Sequence, residues 1–437
     1  MAQKMKPTLL LRLWFGLTRM VPGLFDALIR RAHLRQGADP ARLGERFGRA
    51  SVNRPDGQLI WIHAASVGEV ISVSALARLI AAQTKAQILI TTTTATGAKT
   101  AAARLPDALH QFLPIDTPAA VNRFFIHWRP DAALFVEADL WPRLLRRLAA
   151  QSVPRALLNA RPSKTRKRAP RSMRVLLHDF SLITVQDVTL VQEFIDLGLA
   201  STRINAPGNL KADIPPPRVD EALAQQFRAA ATRRPIWAAA STHPGEEEII
   251  LDAFGAMVRD SLLILVPRHP ERGDAIAAEL IRRGIVFSRQ SAATRPAPET
   301  QVHLLDTIGD LGTVYRVADL AVIGGSLLDG IGGHTPYEPA QLGCAVLSGP
   351  YVENFRTAYD TLCASGAVIT VRNGPELTAN ISRLLSDQTT LKTMRASALA
   401  EQARHVGATG RTFSLLSPLL SPSSPPVPGP DRGAAHD

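Results

Sequence analysis

The sequence predicts an α/β protein built from two Rossmann-like domains that face each other across a central cleft. Three observations carry this. From about residue 57, short apolar runs alternate with longer helical patterns, and strand–helix–strand at this pace builds parallel sheets through right-handed crossovers. The alternation breaks at "PGNLKADIPPP" (207–217), whose prolines suit neither helix interiors nor central strands. It then resumes, and a chain of 437 residues exceeds one ordinary core.

Taken in order, residues 1–50 form a basic apolar segment. They hold ten Lys/Arg against three Asp/Glu, mixed with Trp14, Phe15, Leu17, Met20, Leu24 and Phe25. That mixture suits a helix lying in a membrane interface, or a helix docked on its own domain. No run reads as a bilayer span, which needs about 20 apolar residues; "LLLRLWFGL" (9–17) is short and carries Arg12. The first domain covers 51–206, with strands at 59–63, 87–91, 133–137, 155–159 and 181–185. A linker covers 207–218. The second domain covers 219–416, with strands at 235–241, 262–267, 303–306, 320–325 and 345–349. From Ser417 the Pro/Ser-rich tail cannot support a packed core, so disorder is expected for 417–437.

A net charge of +12 points to an anionic partner. Aromatic content of 5% speaks against a base-stacking surface, and no nucleic-acid partner is expected. The two cysteines, Cys344 and Cys363, have neither metal spacing nor a disulfide framework. HEXXH, CxxC, Walker-loop and GxSxG patterns are absent. No metal and no cofactor is called for.

In open parallel sheets, ligands bind beyond the carboxyl ends of strands, and the candidate motifs sit there. "WIHAASVGEV" (61–70) places Glu69 where a strand turns into a helix. Glu69 is either a first-turn helix charge or a chemical group. "VEADLWP" (136–142) closes a strand with Glu137 and Asp139, which in an extended chain share a face. "AVIGGSLLDGIGGHTPYEPA" (321–340) sets four glycines after a strand, allowing close approach to phosphate. It ends with Glu338, an acceptor for a ribose diol or a helix-dipole charge. "LVPRHPERG" (265–273) offers Arg268 for a phosphate, and "DTIGDLGTVY" (306–315) adds Gly309 and Asp310 at another strand-to-helix turn. "ASTHPGEEEII" (240–250) reads as ordinary helix capping.

Taken together, "WIHAASVGEV", "TTTTATGA", "VEADLWP", "NAR", "GNLKAD", "ASTHPGEE", "PRHPER", "GGHTPYEPA" and "GPYVENF" follow in an order that closely resembles the Kdo (3-deoxy-manno-octulosonic acid) transferases of lipopolysaccharide assembly, over about residues 40–400. The resemblance implies a GT-B glycosyltransferase fold and a CMP-Kdo donor. It also implies a lipid A precursor (lipid IVA) as acceptor and a place at the cytoplasmic face of the inner membrane. It implies Glu69 as general base and Glu137 and Lys211 as transition-state groups. Pro267, Arg268, Ile308, Gly309, Asp310, Thr335, Pro336, Tyr337 and Glu338 would bind the nucleotide. Lys211, in the linker, is expected to reach the donor only when the domains close. Asp310, Thr335 and Asp139 replace the family's usual Glu, Asn and Glu, so a contact at each is weakened or re-routed. Another GT-B enzyme with a different nucleotide sugar, or a non-catalytic basic lipid- or nucleic-acid-binding protein, is the alternative reading. One question stays open: a helix N-terminus lowers a carboxylate's proton affinity, so how does Glu69 stay basic?

Overall fold

A computed structural model describes residues 5–421 except Val21, Gln36, Ala138, Pro162, Val258 and Arg259. The chain divides into two compact units. One runs to Ile214 and takes up the chain again from Gly407; the other spans Pro215–Val406.

The first unit holds a parallel sheet of seven strands: β1 (Leu59–His63), β2 (Gln87–Thr92), β3 (Leu109–Phe112), β4 (Ala132–Val136), β5 (Arg155–Ala160), β6 (Leu182–Val185) and β7 (Ile204–Asn205). Their order is β3-β2-β1-β4-β5-β6-β7, the doubly wound arrangement with its switch point between β1 and β4. Side chains alternate faces along β1. Leu59 and Trp61 join an aromatic core with Phe124, Phe125, Trp128 and Phe135, whereas Ile60 and Ile62 join an aliphatic one with Val70, Val73 and Leu76.

The second unit repeats the plan with β8 (Ile236–Thr242), β9 (Leu262–Pro267), β10 (Phe287–Arg289), β11 (Val302–Leu304), β12 (Leu320–Ile323), β13 (Ala345–Ser348) and β14 (Val368–Thr370). Their order is β10-β11-β9-β8-β12-β13-β14, which puts the switch point between β8 and β12. All pairings in both sheets are parallel.

Two sequence expectations change. The second domain does not run to 416. Asp213 accepts hydrogen bonds from the Gly407 and Thr409 amides at 2.7 and 2.5 Å, and the helix Ala408–Leu420 then packs Ala408, Leu416 and Leu420 into the aliphatic core of the first unit. Residues 417–420, expected to be disordered, are therefore helical and Leu420 is fully buried; the tail from 422 lies outside the described residues. The helix Val67–Thr84 is long and apolar enough to cross a membrane by length and composition. Val70, Val73, Leu76, Ala77 and Ile80 bury against the sheet, so it serves as a core helix.

The N-terminal segment forms two helices, Leu9–Met20 and Pro22–Arg35. The first is docked on its inner side, where Trp14 Nε1 donates to Asp116 at 2.6 Å and Arg143 Nε donates to the Thr18 hydroxyl at 2.6 Å. Its outer side leaves Leu9, Leu10, Leu13, Leu17 and Met20 exposed.

Candidate active site

In the first unit, the chemistry gathers at the switch point. Glu69 follows β1 and Glu137 follows β4, and these two strands are neighbours. Helix Val67–Thr84 starts with Ser66 in an extended conformation, and its side chain makes no cap to the helix N–H groups. The Glu69 carboxylate folds back instead. One oxygen accepts from the Ala65 amide at 2.8 Å and the other from the Ser66 hydroxyl at 3.2 Å. The residue is only 8% exposed. Burial pushes its pKa up to about 7, the negative charges of Glu137 and Asp139 push the same way, and the Ala65 amide and His63 pull against them. Burial and two neighbouring carboxylates therefore outweigh the helix N-terminus, which answers how this acid stays basic.

Glu137 is 4% exposed and bridges two cations: Lys211 Nζ lies 2.7 Å from Oε1 and Arg161 Nε 2.7 Å from Oε2. A buried carboxylate needs such partners to remain charged. Lys211 is positioned by its own segment. Asn159 sits at an irregularity between β5 and β6 with φ of +54°, a conformation that Asn tolerates better than most residues. Its Oδ1 accepts from the Leu210 amide at 3.0 Å. Asn209 Oδ1 in turn accepts from the Lys211 amide at 3.0 Å. The turn Leu210–Asp213 thus belongs to the first unit, and Lys211 meets Glu137 inside that unit.

Glu137 and Asp139 do not share a face as the extended-chain expectation had it. Strand β4 ends at Val136, and Glu137 has φ of +61°. Asp139 instead accepts from His63 Nε2 at 3.0 Å, while His63 Nδ1 lies 3.0 Å from the Thr91 hydroxyl. Burial alone would raise Asp139, but His63 and Trp141 outweigh it and hold the carboxyl below its ordinary range.

In the second unit the expected nucleotide residues gather at the carboxyl ends of β9, β11 and β12. Pro267 closes β9, and Arg268 follows it exposed, with its amide donating to Thr242 O at 3.0 Å. Past β11, Ile308 is 88% exposed and Gly309 has φ of +119°. Asp310 leads into the helix Leu311–Val317 without capping it; its carboxylate accepts from the Thr307 hydroxyl at 3.2 Å. Past β12, the Thr335 hydroxyl accepts from the Tyr337 amide at 3.3 Å, and Glu338 stands in the first turn of Tyr337–Gln341.

The glycine loop between β12 and Thr335 is tied down by a residue that reads as plain capping in the sequence. Glu246 is fully buried and accepts from the amides of His243, Gly325 and Leu327 at 2.9, 2.7 and 2.9 Å. Gly324 must be glycine, since a Cβ there would come within 2.4 Å of Ser241 O. Beside this loop, His243 and His334 stack with ring planes 8° apart and their Nε2 atoms 2.8 Å apart. Burial, then His243, Arg268 and His269, push His334 down to about 4, so this pair is neutral near pH 7 and one ring donates to the other.

The sequence signals for Arg161, His63, Asn159 and Glu246 were present in the "NAR", "WIH" and "THPGEE" blocks. Their roles depend on contacts across strands that spacing does not reveal.

Comparison with known proteins places this geometry. Residues 41–214 match the family model described as 3-deoxy-D-manno-octulosonic-acid transferase (kdotransferase). The chain is 35% identical over 399 residues to a probable mitochondrial 3-deoxy-D-manno-octulosonic acid transferase of Arabidopsis thaliana, covering 87% of this chain and 89% of that one. It is 34% identical to the Haemophilus influenzae 3-deoxy-D-manno-octulosonic acid transferase, covering 87% and 91%. To the Bordetella pertussis transferase it is 32% identical, covering 93% and 98%. A glycosyltransferase from Rickettsia africae superposes with a TM-score of 0.59 at 12% identity, covering 84% of this chain and all of that one. UDP-GlcNAc 2-epimerase from Neisseria meningitidis does so with 0.55 at 13% identity, covering 83% of this chain and all of the epimerase. These two likenesses speak to fold alone, and with the paired parallel sheets they give the GT-B architecture. With that fold and with relatives above 30% identity along nearly its whole length, this chain belongs to the 3-deoxy-D-manno-octulosonic acid transferases, a family of glycosyltransferases.

Proposed function

We propose that this chain is an inverting glycosyltransferase that moves Kdo from CMP-Kdo to a hydroxyl of a lipid A precursor, lipid IVA, in lipopolysaccharide core assembly. The observation that carries the reading is Glu69: a nearly buried carboxylate at a switch point, with its pKa raised to about 7. A general base works best with a pKa near the operating pH. Glu69 takes the proton of the acceptor hydroxyl as its oxygen bonds to the anomeric carbon. The bond from that carbon to the CMP phosphate oxygen breaks on the opposite face, and its electron pair leaves with CMP. Configuration inverts.

The remaining groups divide the charge. Lys211 and Arg161, held against Glu137, set a fixed polar environment beside the base, and preorganised charges of this kind stabilise a transition state without reorganising. Arg268 supplies a guanidinium to the phosphate. Glu338 takes the ribose hydroxyls, and Pro267, Ile308, Gly309, Asp310, Thr335, Pro336 and Tyr337 line the nucleotide's place.

The acceptor is a lipid, and the N-terminal helix supports a location at the cytoplasmic face of the inner membrane. Leu9, Leu10, Leu13, Leu17 and Met20 are exposed on one helix with exposed Arg12 and Arg19. Apolar side chains with flanking cations suit an anionic lipid surface.

Purified protein offered a lipid A precursor with either CMP-Kdo or a UDP-sugar tests the donor. Transfer from CMP-Kdo alone is expected. Transfer from a UDP-sugar without transfer from CMP-Kdo would replace this reading with another GT-B activity.

A further inference from the structure

The first unit contains a cavity of about 220 Å³ under its two N-terminal helices, walled by Trp14, Ile29, Leu113, Ile115 and Trp141. This is smaller than the roughly 300–1,000 Å³ that hold a whole drug-sized ligand. It exceeds the roughly 150 Å³ apolar void that accepts benzene. The space suits part of a molecule, and its walls favour hydrocarbon.

Buried polar side chains also line it. Arg46 is 6% exposed, and among the described residues it has no carboxylate partner. Its Nη2 donates to Thr93 O at 2.6 Å and its guanidinium stacks 4.4 Å from the Phe112 ring, but Nε is buried with no acceptor. Nearby Glu45 is already committed to Arg42, Ser51 and the Phe112 amide. His33, 1% exposed, binds Asp39 O through Nε2 and leaves Nδ1 buried and unpaired. Asp116 lines the cavity too, yet it is occupied by Trp14 Nε1 and the Arg143 and Leu144 amides. A buried cation without a counter-ion is costly, and burial draws Arg46 down to about 10.

We propose that this cavity receives one acyl chain of the lipid acceptor, with an anionic group of that lipid against Arg46. The identification of the lipid as the acceptor rests on the function proposed above. Position supports it. Arg46 holds Thr93 O, the Thr93 amide donates to Ala65 O at 3.0 Å, and the Ala65 amide donates to Glu69. A chain seated here lies one short hydrogen-bonded path from the candidate base. The same helix that contributes Trp14 and Thr18 to the cavity shows Leu9, Leu10, Leu13 and Leu17 outward.

The test is titration of the full chain with dodecyl phosphate, and separately with dodecyl maltoside, below their micelle concentrations, followed by calorimetry. Saturable binding at one site is expected. Ala32→Phe, which fills the half-buried rim of the cavity, should weaken both probes by about tenfold or more. Arg46→Met should weaken dodecyl phosphate about tenfold and dodecyl maltoside little, since only the phosphate gives the guanidinium a charge-assisted hydrogen bond to lose. Leu13→Ser, on the outer face, should change neither. Absent saturable binding, or binding untouched by Ala32→Phe, overturns the proposal; loss on Leu13→Ser assigns the chain to the outer face and overturns it too. The titration needs no sugar transfer, so it stands or falls separately: dodecyl phosphate binding without Kdo transfer keeps the cavity and removes the acceptor assignment.

Discussion

Lys211 Nζ stands 2.7 Å from Glu137 Oε1 within the first unit, and Glu137 in turn raises the pKa of Glu69. The three residues are therefore one electrostatic group. Removing the charge of Glu137 should lower the Glu69 pKa, because the repulsion that opposes its ionisation is gone. In Glu137→Gln the acid limb of the pH–rate profile is expected to move below its wild-type position near pH 7, with a lower plateau. A pH–rate profile of the variant decides it; an unmoved limb would separate Glu137 from the base.

Glu69→Gln should lose transfer by about 10²–10⁴-fold, the usual worth of a general base, while CMP binding stays intact. Stability should respond in the opposite sense. The folded-state pKa is raised from 4.5 to about 7, so the native state loses stability as pH rises through that window. Glu69→Gln should remove this loss and gain on the order of 3 kcal/mol at pH 8, from about 1.36 kcal/mol per pKa unit. Denaturant titrations at pH 5 and pH 8 read it directly; equal pH dependence in both proteins would contradict the burial of a poised carboxylate.

Asn159 orients the turn that carries Lys211. Asn159→Ala leaves the Leu210 amide without its side-chain acceptor and is expected to cost about 1–3 kcal/mol. It should also lower kcat with little change in the donor KM, since the residues proposed to bind the nucleotide lie in the other unit. Steady-state kinetics with urea unfolding checks both; a donor KM rise with unchanged kcat would put Asn159 elsewhere in the mechanism.

Arg268→Ala should weaken CMP binding by about tenfold, in keeping with the worth of a charge-assisted contact, and leave stability unchanged because the side chain is exposed. Glu246→Gln should weaken CMP binding as well, but through the glycine loop it anchors, and should destabilise the fold. Calorimetric CMP titration with a melting curve distinguishes the two; equal stability loss in both variants would contradict the assignment of Arg268 to the ligand.

Replacing Leu9, Leu10, Leu13 and Leu17 together with serine should release the protein from anionic vesicles while preserving its melting temperature, since all four are exposed. Vesicle flotation at low and moderate salt measures it. Unchanged flotation would remove this helix face as the membrane contact.

The limits of sequence reading follow a physical line. The ten strands found in the sequence are all interior strands, whereas the four missed, β3, β7, β10 and β14, are the four sheet edges. Edge strands here are two to four residues long and include His110, Gln111, Asn205 and Arg289, so they lack the buried apolar run that marks a central strand. Glu69 and the segments proposed to hold the nucleotide lie at strand ends, a placement the sequence shows because each follows its strand directly in the chain. The partners of Glu137 could not be placed this way, because Arg161 and Lys211 reach it from two further segments, and a left-handed residue ends β4 before alternation can continue. The return of Ala408–Leu420 was hidden by a Pro/Ser-rich continuation, although Leu416 and Leu420 carry the burial.

The most direct test is mass spectrometry of a lipid A precursor incubated with CMP-Kdo and either wild-type or Glu69→Gln protein, across about pH 5–9 to span the ionisation of the base. The account predicts Kdo mass increments whose rate rises through about pH 7 in the wild type, and a variant that binds CMP without transferring Kdo. A wild type that adds no Kdo, or a variant that transfers it at the wild-type rate, would contradict it.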